Sequence, residues 1–80
     1  MRVNRLVAIT WVDTAGTNGE HSRTEALIQD PITFTTYGRL LGRDKNKTTL
    51  ASTEGWDDEQ RIYRDITTFP NEAVKSIKEV

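Results

Sequence analysis

The alternation of apolar and polar positions predicts a chain made mainly of short β-strands. Residues 3–12 carry apolar or β-branched side chains at both alternating sets, which is typical of a strand covered on both faces. Residues 32–41 alternate one apolar set with a more polar one, as in a half-buried strand. Further strands are predicted over residues 48–53 and 62–69. The pattern predicts a single all-β domain over residues 1–80.

Polar segments separate these strands. Residues 13–19 and 43–47 are rich in residues that favour turns, and residues 54–60 are predicted to form a polar, acidic loop that contains Trp56. Tryptophan in so polar a loop either covers one end of the fold or contacts a partner.

One short helix is predicted in the first long connection. Ser22 stands three residues before Glu25, the spacing of a capping box, and Asp30 with Pro31 is expected to end a helix of about two turns. The tail, residues 71–80, is ambiguous, because its apolar positions fit a helical stripe and equally fit a 3₁₀ turn followed by a closing strand.

The composition favours self-association. A chain of 80 residues buries only roughly 60–65% of its unfolded surface. It has no cysteine for a disulfide and one histidine, His21, so neither a disulfide nor a structural zinc site is expected to reinforce it. The predicted hairpin 39–47 has a net charge of +3 and the acidic loop 54–59 one of −4, which predicts head-to-tail contacts between copies.

Charge and hydropathy disfavour two classes of partner. Eleven basic and twelve acidic residues nearly cancel, whereas a dedicated phosphate-backbone binder carries a strongly basic face. The longest apolar run has four residues, far below the roughly 20 that span a bilayer, and residues 1–4 do not begin a signal peptide. The absence of cysteine fits a reducing compartment.

Two groups of residues carry a family resemblance. Gly38, Leu40 and Asp44, followed by Phe69-Pro70-Asn71 and residues 74–77, resemble the two halves of an SH3-like or Sm-like barrel. More particularly, the chain is similar to small, mostly uncharacterised proteins of tailed phages. The motifs that carry this similarity are Trp11-Val12-Asp13, Gly38 with Leu40, Leu50-Ala51, and Pro70 before Ile77.

The resemblance implies a fold and a setting. It implies a five-stranded SH3-like or Sm-like small barrel with one short helix in the first long loop, and it favours turn plus strand for the tail. It also implies a non-enzymatic accessory protein that acts in the host cytoplasm, without a cofactor, by binding a small host signal or a host protein. Thr48 stands where Sm-like proteins use asparagine in the base pocket, and the glycine of their second motif is missing near Pro70, so Sm-type RNA binding is disfavoured.

The candidate binding residues are aromatic and arginine side chains. Aromatic faces stack on bases and arginine forks pair with phosphate, so such a set suits a nucleotide. The predicted ligand-binding residues are Tyr37, Arg39, Arg43, Trp56, Arg61, Tyr63 and Arg64.

A simpler interpretation stays open beside this one. The tyrosines would then be core or cross-strand residues, and the arginines would pair with Asp44, Asp57, Asp58 and Asp65. The same holds for the acidic segment, which is more simply a solvated loop than a cation site, and for His21, which is more simply a surface residue than a proton shuttle. No metal site and no catalytic residue is predicted.

Overall fold

A computed structural model describes residues 3–13 and 19–80 of the chain. The described part is mostly β, with five antiparallel strands in one sheet and little helix. The elements are β1 (Leu6–Asp13), α1 (Arg23–Leu27), β2 (Ile32–Arg43), β3 (Lys47–Asp57), β4 (Gln60–Pro70), a 3₁₀ turn (Asn71–Ala73) and β5 (Val74–Glu79). The predicted loop 13–19 lies largely outside the described residues.

The sheet is open, and the predicted closed barrel is not formed. Its strand order is β4-β3-β2-β1-β5, so within the described residues β4 and β5 are edges, each paired on one side. The 3₁₀ turn takes the chain from one edge to the other, where β5 pairs with β1. This turn followed by a strand is the form of the tail that the resemblance favoured.

The core lies on one face of the sheet. Five apolar residues from four strands form it, and partly buried Trp11, Val74 and Ile77 pack against them; the five are Val7, Ile9, Leu40, Leu50 and Phe69. The first strand, predicted to be covered on both faces, is fully buried at Val7 and Ile9 on one face and only partly covered on the other, where Ala8 and Val12 are half-buried and Leu6 is exposed.

The β1–β2 pair and the β3–β4 hairpin each extend beyond the region in which β2 and β3 pair with each other. β2 pairs with β3 only from Arg39 onward, so residues 32–38 pair with β1 alone and residues 53–57 pair with β4 alone. Gly38 stands where β2 and β3 separate: a Cβ there would lie 2.3 Å from the Ala51 carbonyl oxygen. Because these two strand pairs project from the sheet, the Cα radius of gyration is 16.5 Å, larger than the roughly 12 Å of a compact 80-residue domain.

The prediction that residues 54–60 form a loop is wrong. β3 continues to Asp57 and β4 begins at Gln60, so only Asp58 and Glu59 connect them. Both have positive φ, 48° and 68°, as in the tight two-residue turns whose twist matches that of the strands. The sequence shows no alternating apolar pattern here, because most side chains on both sides of the turn are exposed to solvent and can be polar or charged.

The helix is present but shorter than predicted. Ser22 caps it as expected, because its Oγ accepts a hydrogen bond from the Glu25 amide at 3.2 Å. Only Arg23–Leu27 is helical, and none of its residues is buried. A helix that buries no apolar stripe gains little from tertiary contacts, which accounts for its single turn.

A hydrogen-bonded network joins the β2–β3 turn to the 3₁₀ turn. Fully buried Thr48 donates through Oγ1 to Asn71 Oδ1 at 2.7 Å, and Asn71 Nδ2 donates to the Asp44 carbonyl oxygen at 2.7 Å. Asp44 Oδ1 accepts from the amides of Asn46 and Lys47, and these two hydrogen bonds lower the pKa of the Asp44 carboxyl. We call Thr48, Asn71 and Asp44 the turn network.

Candidate ligand-binding site

The β3–β4 hairpin brings four candidate-site positions onto one face. Glu54 pairs with Tyr63, and Trp56 pairs with Arg61. Because side chains two residues apart on a strand point to the same side, all four share one face of the hairpin. Two-residue turn geometry fixes this register, so the acidic turn is what aligns the aromatic and charged side chains.

Arg39 joins this face from β2 through a two-pronged ion pair. Its Nε donates to Glu54 Oε2 at 2.8 Å, and its Nη2 donates to Glu54 Oε1 at 2.5 Å. Its Nη1 donates to the Asn4 carbonyl oxygen at 2.8 Å. Paired arginine and carboxylate forks of this kind are the strongest and most directional ion pairs in proteins. Arg39 is therefore held rigidly, with each of its three nitrogens engaged.

Arg61 contacts the same carboxylate from β4. Its Nη2 lies 2.8 Å from Glu54 Oε1, and its guanidinium carbon lies 5.3 Å from the Trp56 ring centroid. The second distance is within the range of a cation–π contact. Across the residues that the structure describes, Nε and Nη1 of Arg61 have no hydrogen-bond partner, unlike the nitrogens of Arg39.

Arg39, Glu54 and Arg61 form a charged triad, and the carboxyl of Glu54 is ionised at neutral pH. The hydrogen bond from Arg39 is the main cause that lowers the pKa of the Glu54 carboxyl to about 2, with a smaller contribution from Arg61. The same hydrogen bond raises the pKa of Arg39. Glu54 is thus ionised near pH 7, and with two guanidinium groups the three side chains carry a formal net charge of +1.

Both arginines face an open depression of about 350 Å³, which we call the arginine–tryptophan depression. It is lined by Asn4, Arg39, Trp56, Arg61 and Tyr63. Trp56 is 67% exposed although it belongs to a strand. A large aromatic side chain left in solvent beside two guanidinium groups is a surface on which a planar ligand can stack.

Four of the seven predicted site residues therefore lie together, and three do not. Tyr37 on β2 is 64% exposed and does not line the depression. Arg43 lies beside a separate depression of about 140 Å³ at the β2–β3 turn. Arg64 lines a third one, of about 160 Å³, together with Glu54, Gly55 and Ile62.

The simpler interpretation expected the arginines to pair with aspartates, but the acid that Arg39 and Arg61 contact is a glutamate. Two of the arginines pair with Glu54, whereas Asp44 accepts from backbone amides and Asp65 accepts from the Thr53 hydroxyl. Sequence reasoning missed Glu54 and Asn4 as parts of the site. The signal for Glu54 is its place two residues before Trp56, and it has meaning only once the segment is known to be a strand.

The other expectations for this region concern cations and membranes. Among the residues described here, no group of three or more histidine or acidic side chains is arranged to hold a metal ion. His21, which precedes the N-cap of the short helix, lies with its Nδ1 3.3 Å from Glu25 Oε2. No helix in the described ranges has the length and apolar character needed to cross a membrane.

A second, more apolar depression lies at the other end of β4. Its volume is about 360 Å³, and Trp11, Phe69 and Pro70 form much of its lining. The Trp11 and Phe69 rings pack with centroids 5.3 Å apart, and Trp11 Nε1 donates to Thr36 Oγ1 at 2.8 Å. Its two large rings already pack on each other, so this end of the sheet is an extension of the core.

Comparison of the chain with protein-family models, with curated proteins and with solved structures finds no match of any of the three kinds.

Proposed function

We propose that the protein is a non-enzymatic binding protein that holds a small nucleotide-like ligand in the arginine–tryptophan depression. The observation that carries this proposal is the convergence of Arg39, Trp56 and Arg61 from three strands around one open volume. Guanidinium groups bind phosphate, and an exposed indole stacks on a base.

The size of the depression fits a small ligand. Binding pockets for small molecules commonly measure about 300–1,000 Å³. At about 350 Å³ the depression is near the lower limit, so a mononucleotide fits it better than a long oligonucleotide. Tyr63 and Asn4 supply further polar groups at its rim.

The two arginines have different roles in this proposal. Arg39 uses its three nitrogens on Glu54 and on the Asn4 carbonyl, so it positions the carboxylate and the chain near Asn4. Arg61 keeps Nε and Nη1 for a ligand while its planar group lies over Trp56. The phosphate therefore binds Arg61, and the base stacks on the exposed side of the indole.

The biological setting is proposed from the family resemblance. An accessory protein of a tailed phage that sequesters a host nucleotide signal in the host cytoplasm needs a binding surface and no catalytic group. The SH3-like or Sm-like character of the fold belongs to this same proposal. Sm-type RNA binding is disfavoured further, because Thr48, at the position of the base-pocket asparagine, is fully buried and donates to Asn71.

Self-association is a separate proposal about the same molecule. Unpaired strand edges are templates for pairing with another chain, and this open sheet has two of them, β4 and β5. The small core and exposed apolar residues such as Leu27, Ile28 and Phe34 favour such an assembly. Native mass spectrometry over a range of protein concentrations tests it: a defined oligomer is expected, and a monomer at all concentrations contradicts it.

One observation favours a second candidate function. Trp56 and the acidic turn at Asp58 and Glu59 project together at the end of a hairpin, which suits contact with a host protein. Pulldown from host lysate with wild type and Trp56→Ala tests this alternative. It predicts a specific partner that Trp56→Ala loses, and it is abandoned if wild type retains the same proteins as the variant.

The nucleotide proposal is tested by calorimetric titration with a panel of mono-, di- and cyclic nucleotides. Wild type is expected to bind at least one of them, and Arg61→Ala or Trp56→Ala is expected to lose roughly 1–3 kcal/mol of binding free energy. Arg64→Ala is the matched control, because this arginine lies on the same hairpin but lines a different depression. Absence of binding to the whole panel, or equal losses in Arg61→Ala and Arg64→Ala, contradicts the proposal.

A further inference from the structure

The two arginines of the arginine–tryptophan depression share one anion, because Glu54, which lines the neighbouring depression, pairs with both of them. Glu54 Oε1 lies within 2.8 Å of both guanidinium groups, so the carboxylate occupies the place between the arginines where a ligand oxygen would otherwise bind. Two positive charges and one negative charge leave a net charge of +1 for a ligand. This residual charge sets a limit on the charge of the ligand that the site accepts.

Glu54 is not readily displaced by a ligand. Both of its oxygens accept from Arg39, and Arg39 is in turn fixed by the Asn4 carbonyl. An incoming phosphate would have to break two charge-assisted hydrogen bonds to replace it. The carboxylate therefore stays in the site when a ligand binds, a few ångströms from the phosphate group that Arg61 holds.

The charges beyond the triad act in the same direction. The segment between Trp56 and Arg61 is the acidic turn of the hairpin, and it carries Asp57, Asp58 and Glu59. The remaining arginines of the candidate set, Arg43 and Arg64, line other depressions. The acidic turn thus adds a more distant repulsion that grows with each further negative charge of the ligand.

We infer that the depression selects a nucleoside phosphodiester, whose phosphate has one negative charge, over phosphomonoesters and polyphosphates, and that Glu54 is the residue that determines this specificity. The inference rests on the proposed nucleotide function. A phosphodiester matches the residual charge of +1, and one of its non-bridging oxygens can accept from an Arg61 N–H group that Glu54 does not use. A phosphomonoester places a second charge beside the Glu54 carboxylate, and the described residues that line the depression supply no third cation to balance it.

The test is calorimetric titration of the full chain with cyclic AMP, AMP and ATP at one fixed ionic strength. Affinity is expected to fall in that order, by at least roughly threefold for each added negative charge, which is the effect of one charge at about 6 Å in a medium as polar as water. Equal affinities, or tighter binding of AMP or ATP than of cyclic AMP, overturn the inference. This series uses wild type alone, so it decides even if a variant fails to fold.

Glu54→Gln gives the second half of the test. It removes the internal charge while keeping the side-chain size, so the preference for cyclic AMP over ATP is expected to shrink at least about tenfold. Glu72→Gln makes the same change of net charge in the 3₁₀ turn, outside the depression, and is expected to keep the wild-type preference. An unchanged preference in Glu54→Gln, or an equal loss in Glu72→Gln, overturns the role of Glu54.

The outcomes separate this inference from the proposed function. If wild type binds no nucleotide of the whole panel, the nucleotide function and the inference both fail; if it binds another nucleotide of the panel but not cyclic AMP, the inference alone fails. If wild type binds them and Arg61→Ala does not, but the order of affinities ignores charge, the nucleotide function stands and only the charge selection fails.

Discussion

The turn network and the Arg39–Glu54–Arg61 triad are two polar clusters of the same sheet with opposite properties. In the turn network, Thr48 is buried and bonded to Asn71, and no buried side-chain polar atom in the described residues is without a hydrogen-bond partner. The triad lies at the surface, and Arg61 keeps donors that no described residue uses. A saturated, buried network stabilises a fold, whereas an exposed and unsaturated one is available to a ligand.

The largest loss of stability is expected from a variant that breaks the turn network. Asn71→Ala leaves the buried Thr48 hydroxyl and the Asp44 carbonyl without their partner, so we expect it to lower the free energy of unfolding by about 1–3 kcal/mol. Chemical denaturation measures this change. Asn46→Ala is the matched control: Asn46 joins the turn through its backbone, so the loss should stay within about 0.5 kcal/mol. Equal effects of the two variants would contradict the structural role of the Asn71 side chain.

A smaller effect on stability is expected at the triad. The Arg61 side chain is 37% exposed and Glu54 keeps its contacts with Arg39, so Arg61→Ala should lower the free energy of unfolding by no more than about 1 kcal/mol. The same variant is expected to lose nucleotide binding. Loss of stability as large as that of Asn71→Ala would place Arg61 among the structural residues and remove the contrast between the two clusters.

The smallest effect concerns acid pH. The folded-state pKa of Glu54 is about 2, below its ordinary value of 4.5, so the ionised carboxylate stabilises the fold. That stabilisation is complete above about pH 4.5 and is lost as pH falls through 2. Denaturation midpoints of wild type and Glu54→Gln should therefore differ at neutral pH and converge near pH 2. A constant difference between them across this range would show that Glu54 acts through something other than its charge.

The sequence predicted the strands better than it predicted how they assemble. Alternation over residues 32–41 and the Ser22 cap are local signals, and the structure has a strand and a helix start at these places. Closure depends on whether β4 and β5 meet, which no local pattern records; the five predicted strands are present, but they do not close into the predicted barrel. The β3–β4 turn was missed because Asp58 and Glu59 adopt positive φ without the glycine or asparagine that usually marks it.

The candidate site was predictable as a composition but not as a geometry. Aromatic and arginine residues identified Trp56 and Arg61, which the structure places in contact. Their common acid, Glu54, was assigned to a solvated loop, because cross-strand pairing with Tyr63 exists only in the hairpin. Separating Arg64 from Arg61 needs the same register, since the two lie on opposite faces of one strand although both are near in sequence.

The most direct test of the central claim follows both tryptophans at once. Two-dimensional NMR of the indole N–H groups during titration with the nucleotide panel distinguishes Trp56 in the depression from Trp11, whose indole donates to Thr36. The account predicts a saturable shift of the Trp56 signal with at least one nucleotide while the Trp11 signal stays in place. Two unchanged signals across the whole panel would contradict it, as would a Trp11 signal that moves while the Trp56 signal does not.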